Sequence, residues 1–290
     1  MHSDLSRVAI ALTLLGAACS RATTATTTST TSTTSTTSTT TKTTTSTTSA
    51  PAQSTTTTTT ASSLPPARTL IDRYVTAIGG REAVMRHSTI RYVGTFEMPA
   101  AGVKGDVSLV QAAPDRMAMT MNIPGMGQMM TGYNGTVGWA VNPMQGPRVL
   151  EGAELDQLRD QAGLSAMLRA ADRVRSAETV ELTTMGGQAC YKVKIIFTTG
   201  RESYDCYSPE TGLLVGMIQR QESPMGSVEV TTVVSDWKEF GGIKVPTVAR
   251  AQMMGQEMVQ TVDHLEFDRP EDVKALEVPE AVKPLVKPKQ

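Results

Sequence analysis

Thirty-five of the 45 residues at positions 20–64 are Ser or Thr, in runs such as Thr26-Thr27-Thr28-Ser29-Thr30-Thr31-Ser32, and no large apolar residue occurs there before Leu64. Such a stretch cannot bury enough surface to offset the roughly 1–2 kcal/mol of backbone entropy that ordering each residue costs, so it is expected to stay disordered. As a tether it would reach at most about 150 Å fully extended and span roughly 40 Å as a flexible coil. Folding is left to the chain beyond it, which is long enough for one sizeable core.

Ahead of this tract, Arg7 precedes an uncharged run of eleven residues, 8–18. That is the length of a signal-peptide core and too short to cross a bilayer. Its end, Leu15-Gly16-Ala17-Ala18-Cys19-Ser20, resembles the bacterial lipobox, in which small residues precede a Cys that is diacylated and becomes the mature N-terminus. Gly16 stands where Leu is usual, and ordinary cleavage after Ala18 is the competing reading. With Cys19 acylated, several buried chains would anchor the protein firmly. The compartment is then the periplasmic side of a bacterial envelope, and Ser20 fits outer-membrane sorting.

Cys190 and Cys206 are the other cysteines, and they flank a turn expected at Thr199-Gly200. An exported protein can form disulfides, and closing this loop would contribute about 3 kcal/mol. Simple register about the turn sets Cys190 opposite residue 209, so a bulge or a wider loop is needed. Free core thiols are the alternative.

Beyond residue 64, Leu70, Ile71, Tyr74, Val75 and Ile78 mark one helical face, after Pro65-Pro66 and before Gly79-Gly80. A short second turn is expected at 81–86. The period then changes to two. Ile90, Tyr92 and Phe96 share a face, as do Met117, Met119, Met121 and Ile123. Asn134-Gly135 is a hairpin signal between strands carrying Met129–Tyr133 and Trp139. Leu155, Leu158, Leu164, Met167, Leu168, Ala171 and Val174 fit one or two helices over 153–175, broken near Gly163. Strands resume, with turn signals about every dozen residues, and a short helix is expected at 270–276. Hairpins without intervening helices imply an antiparallel meander. The fold class is mainly β (α+β): one strongly curved antiparallel sheet with helices on its concave side. The boundaries are 1–18 signal peptide, 19–64 lipidated Cys and tether, 65–276 β domain and 277–290 Pro/Lys-rich tail.

Chemical signatures are sparse. His2, His87 and His264 are the only histidines. There is no His-Glu-x-x-His, Gly-x-Ser-x-Gly, Gly-x-x-x-x-Gly-Lys or Cys-x-x-Cys. No enzyme, cofactor or metal site is expected. Beyond residue 64 the chain has 24 Lys plus Arg against 27 Asp plus Glu, with no basic block, which argues against nucleic acid. A monomer is expected. The unusual signal is methionine, with sixteen after Met1, all in this region. They read first as core filler, nearly as well as the flexible wall of a lipid cavity, and a distant third as soft thioether ligands for Cu(I).

Several segments resemble the superfamily of the periplasmic lipoprotein carrier LolA and receptor LolB. They are Tyr74-Val75-Thr76-Ala77-Ile78-Gly79-Gly80-Arg81-Glu82-Ala83, Gly94-Thr95-Phe96, Gly132-Tyr133-Asn134-Gly135-Thr136-Val137-Gly138-Trp139, Tyr207-Ser208-Pro209-Glu210-Thr211-Gly212-Leu213-Leu214, Ser235-Asp236-Trp237 and Gly242-Ile243-Lys244-Val245-Pro246. The resemblance spans roughly residues 68–268. It implies an incomplete β-barrel with a helical lid over a hydrophobic cavity for acyl chains, binding a lipid or an acylated lipoprotein. The expected lining is Met117, Met119, Met121, Met130 and Trp139 from the sheet, and Leu155, Leu158, Leu164, Met167 and Leu168 from the lid. The competing reading is an envelope scaffold or sensor whose core is filled and whose partner is a protein.

Overall fold

The computed structural model describes residues 64–223 and 226–287. The signal segment, Cys19 and the Ser/Thr tract lie outside the described residues.

The domain opens with α1 (Ala67–Ala77) and α2 (Gly80–Met85). The corner between them needs glycine. Gly79 has φ +113°, and a Cβ there would sit 2.1 Å from the Gly242 carbonyl oxygen. The close approach lets the Lys244 N–H donate to the Ile78 carbonyl at 2.9 Å, tying the helices to the sheet.

Six strands follow: β1 (Thr89–Met98), β2 (Val103–Ala112), β3 (Arg116–Ile123), β4 (Gly127–Tyr133), β5 (Gly138–Asn142) and β6 (Gly146–Leu150). Two helices interrupt, α3 (Gly152–Gln161) and α4 (Leu164–Met167). They break at Gly163 as expected; its φ is +79°, and a Cβ would meet the Pro114 carbonyl oxygen at 2.3 Å. The helical pattern does not extend to 175. Arg169 turns left-handed at φ 46°, Ala171 lies in a turn, and Val174 begins a strand.

The second run is β7 (Val174–Met185), β8 (Gln188–Phe197), β9 (Glu202–Tyr207), β10 (Leu214–Ser223), β11 (Gly226–Phe240), β12 (Ile243–Met253) and β13 (Gln256–Phe267), followed by α5 (Pro270–Ala275). The described strands form one 13-stranded antiparallel sheet, ordered β6-β5-β4-β3-β2-β1-β13-β12-β11-β10-β9-β8-β7. Two meanders are thus joined where β1 pairs with β13, and β6 and β7 remain as edges.

The sheet is rolled. At the usual strand spacing, β5 and β10 would stand about 40 Å apart if it were flat. Yet α3 touches both: the Leu155 Cδ1 lies 2.8 Å from where a Cβ on Gly138 would be, and the Gln157 Oε1 accepts the Glu222 N–H at 2.8 Å. Helices α1 to α4 pack within the roll. Leu70 and Ile71 meet Val193, Ile195 and Tyr207; Ile78, Val84, Leu164 and Leu168 meet Ile90, Ile243 and Val245; Leu158 and Ala162 meet Met117, Met121 and Met129. On the other face, Leu276 just after α5 covers Val110, Ala112 and Ala118. Such an open, curved sheet with helices inside is the LolA-like architecture that the sequence led us to expect.

Candidate functional site

Side-chain alternation places Met217, Gln219 and Gln221 of β10 on the inner face, with Val230 and Thr232 of β11, Ala249, Ala251 and Met253 of β12, and Gln256, Met258 and Gln260 of β13. Register sets the small Ala249 opposite Gln260 and Ala251 opposite Met258. The missing side-chain volume leaves a groove of about 170 Å³, partly open to solvent. Met98 of the adjoining β1, Met121 of β3 and Gln161 at the end of α3 complete its lining. Five thioethers (Met98, Met121, Met217, Met253 and Met258) and five carboxamides (Gln161, Gln219, Gln221, Gln256 and Gln260) therefore line one groove.

The α3 side of the groove is held by polar contacts. Gln161 Nε2 lies 3.5 Å from Gln219 Oε1, and Gln219 Nε2 donates to the Met217 sulfur at 2.8 Å. Gln111 Nε2 donates to the Gln161 carbonyl at 3.0 Å. At the preceding position, the Asp160 carboxylate accepts from the Thr199 hydroxyl at 2.9 Å and from Arg201 Nη1 at 3.1 Å. Burial holds the Asp160 carboxyl above its usual pKa, against the pull of Thr199 and Arg201.

Of the lining expected from sequence, Met121 stands on this groove. Met117, Met119, Leu155 and Leu158 are packed together beneath α3, with Phe96 and Tyr133. Leu164 and Leu168 are fully buried in a neighbouring cluster, and Met167 packs against it with its sulfur 3.1 Å from the Tyr92 hydroxyl. Met130 is opposite Thr120 and Val141, and Trp139 lies against Gly132; both face away from the helices, because they alternate with the inward Met129 and Ala140. This groove is thus beside α3.

A second polar centre was not legible in the sequence. Arg169 Nε donates to Asp205 Oδ2 at 2.7 Å, and the Tyr207 hydroxyl donates to the same oxygen at 2.8 Å. Asp205 is 1% exposed. Tyr74 stacks obliquely on Tyr207, with ring centroids 5.5 Å apart. Burial pushes the Tyr74 hydroxyl up to about 12, with Arg169 opposing. Burial, then the Asp205 charge, drives Tyr207 well above the usual tyrosine value. Burial works against the Arg169 charge, but Asp205 outweighs it and the guanidinium stays protonated. This centre ties the turn after α4 to β9.

Cys190 and Cys206 are bonded, with Cα atoms 5.4 Å apart. Tyr191 pairs with Tyr207 and Lys192 with Cys206, so the bridge joins diagonal neighbours on the face away from the groove. Among the described residues no group of three or more His, Cys, Asp or Glu side chains is placed to hold a metal, and no helix is long and apolar enough to cross a membrane.

No family model and no curated protein matches the chain. Among solved structures it is similar to a DUF1329 family protein from Desulfovibrio piger, at 14% identity over 74% of this chain and 100% of that one, with a TM-score of 0.49. It is similar to a LolA superfamily protein from Nitrosomonas europaea at 12% identity, covering 72% of this chain and 97% of that one, with a TM-score of 0.48. A Vibrio parahaemolyticus domain ascribed to outer membrane lipoprotein sorting is similar at 8% identity, over 70% and 97% of the two chains, with a TM-score of 0.44. At these identities the likeness is one of fold.

Proposed function

We propose that this chain is a membrane-tethered, periplasmic lipid- or lipoprotein-binding protein that acts by binding and not by catalysis. The observation that carries the reading is the groove between β10–β13 and Met98, Met121 and Gln161, whose wall is largely thioether, methyl and carboxamide. Unbranched thioether side chains adapt to ligands of differing shape at little cost. An acyl chain laid there gains about 25 cal/mol for each Å² of apolar surface removed from water. Acylated Cys19 and the Ser/Thr tether would hold the domain to a bilayer while letting it reach beyond the surface, with the outer membrane as the preferred site.

The tight packing of Leu158, Leu164 and Leu168 favours one competing reading, a scaffold or sensor that binds protein through its surface. Solvent extraction of the purified protein followed by mass spectrometry separates the two. Co-purified lipid, or uptake of an acyl-chain fluorophore at one equivalent per chain, supports the binding reading. Neither lipid nor uptake leaves the scaffold.

A further inference from the structure

The wall of the groove carries almost no charge. Its lining contains no Lys, Arg, His or Asp, and Glu257 is the lone ionisable residue among the described residues that form it. Glu257 is turned away. It pairs in register with Gln252, whose Nε2 donates to its carboxylate at 3.2 Å, and Arg250 Nη1 is 3.9 Å off. Both partners alternate with Ala251 and so lie on the opposite face. Inside the groove, Gln161, Gln219 and Met217 satisfy one another. The carboxamides of Gln221, Gln256 and Gln260 have no side-chain partner among the described residues.

This combination selects a head group. A carboxylate or phosphate entering here would leave water without a counter-charge, at a far greater cost than an amide or hydroxyl that exchanges its water for glutamine hydrogen bonds. The small volume adds a limit of its own, since pockets that engulf drug-sized molecules measure roughly 300–1,000 Å³. Resting on the lipid-binding reading, we infer that the groove takes a free single-chain amphiphile with an uncharged amide or hydroxyl head. The chain runs along the methionines and Ala251, and the head meets the carboxamide of Gln260, opposite Ala249.

The test compares four ligands of one chain length, decanamide, decan-1-ol, decanoate and decyltrimethylammonium, titrated calorimetrically into the full-length protein at pH 7.5. The amide and the alcohol are expected to bind at least tenfold tighter than either ion. The Gln260→Lys variant, which sets an ammonium into the wall, is expected to reverse the order and favour decanoate; circular dichroism checks that it folds. Binding of all four within threefold of one another overturns the inference while leaving a lipid groove in place. A Gln260→Lys protein that folds but keeps the wild-type order also overturns it, because the ligand then binds elsewhere. If none of the four binds, the lipid-binding reading falls as well.

Discussion

Gln157 of α3 accepts the backbone N–H of Glu222 on β10 at 2.8 Å, across a sheet whose flat length would separate them widely. This bond, with the Asp160 contacts to Thr199 and Arg201, closes by side chains what the strands leave open, since β6 and β7 are unpaired with each other. The helix therefore acts as a strut between the two meanders.

Gln157→Ala should loosen that strut. Gln157 is 4% exposed, and its loss leaves the Glu222 N–H unpartnered, at a cost of about 1–3 kcal/mol. Hydrogen exchange should show the Glu222 amide opening faster while the β1–β2 amides stay protected. Unchanged exchange at Glu222 would mean that α3 is held by its apolar face alone.

The Arg169–Asp205 pair predicts a larger effect. Asp205→Ala strands a guanidinium that is 15% exposed, and removing one partner of a buried pair costs about 3–5 kcal/mol. An Arg169→Met, Asp205→Leu double variant should recover much of this in urea denaturation. A double variant no more stable than the single one would assign the loss to the Tyr207 hydrogen bond instead.

Acid sensitivity is expected from Asp268. The side chain of His87, then the hydroxyl and backbone N–H of Ser88 and the N–H of Thr89, hold its carboxyl far below the usual range against modest desolvation. A depressed folded pKa contributes stability that is present above the unfolded value of about 4 and is lost as pH falls below it towards the folded value. The urea midpoint should therefore decline below about pH 4, and Asp268→Asn should flatten that decline. Parallel declines in the two proteins would contradict the assignment.

The disulfide should matter for stability and not for binding. Its separation of 16 residues corresponds to about 3 kcal/mol in the chain-entropy account. It lies on the face away from the groove. A Cys190→Ser, Cys206→Ser variant should lower the denaturation midpoint while ligand affinity of the folded fraction holds.

Local chemistry made much of the fold readable. Gly79-Gly80, Asn134-Gly135 and Gly163 all mark observed breaks, and period-two runs such as Met117, Met119 and Met121 do form one inward face. The site was less accessible, for two reasons. A single step along a strand exchanges faces, which separates Met130 and Trp139 from the inward Met129 and Ala140. Gln219 and Gln221 carry no apolar signal that would place them inside, and the roll that does so depends on β1 finding β13, a pairing with a span of more than 150 residues that no local pattern announces. Arg169 and Asp205 were hidden likewise, since charged residues are seldom fully buried unless paired.

The central claim is that a ligand occupies the hollow formed where Ala249 and Ala251 leave room on β12. Its most direct test is Ala251→Trp, which fills that hollow from the wall. Uptake of an acyl-chain fluorophore should fall at least tenfold, with the far-ultraviolet circular dichroism unchanged. Equal uptake by the wild type and a folded Ala251→Trp protein would contradict the account.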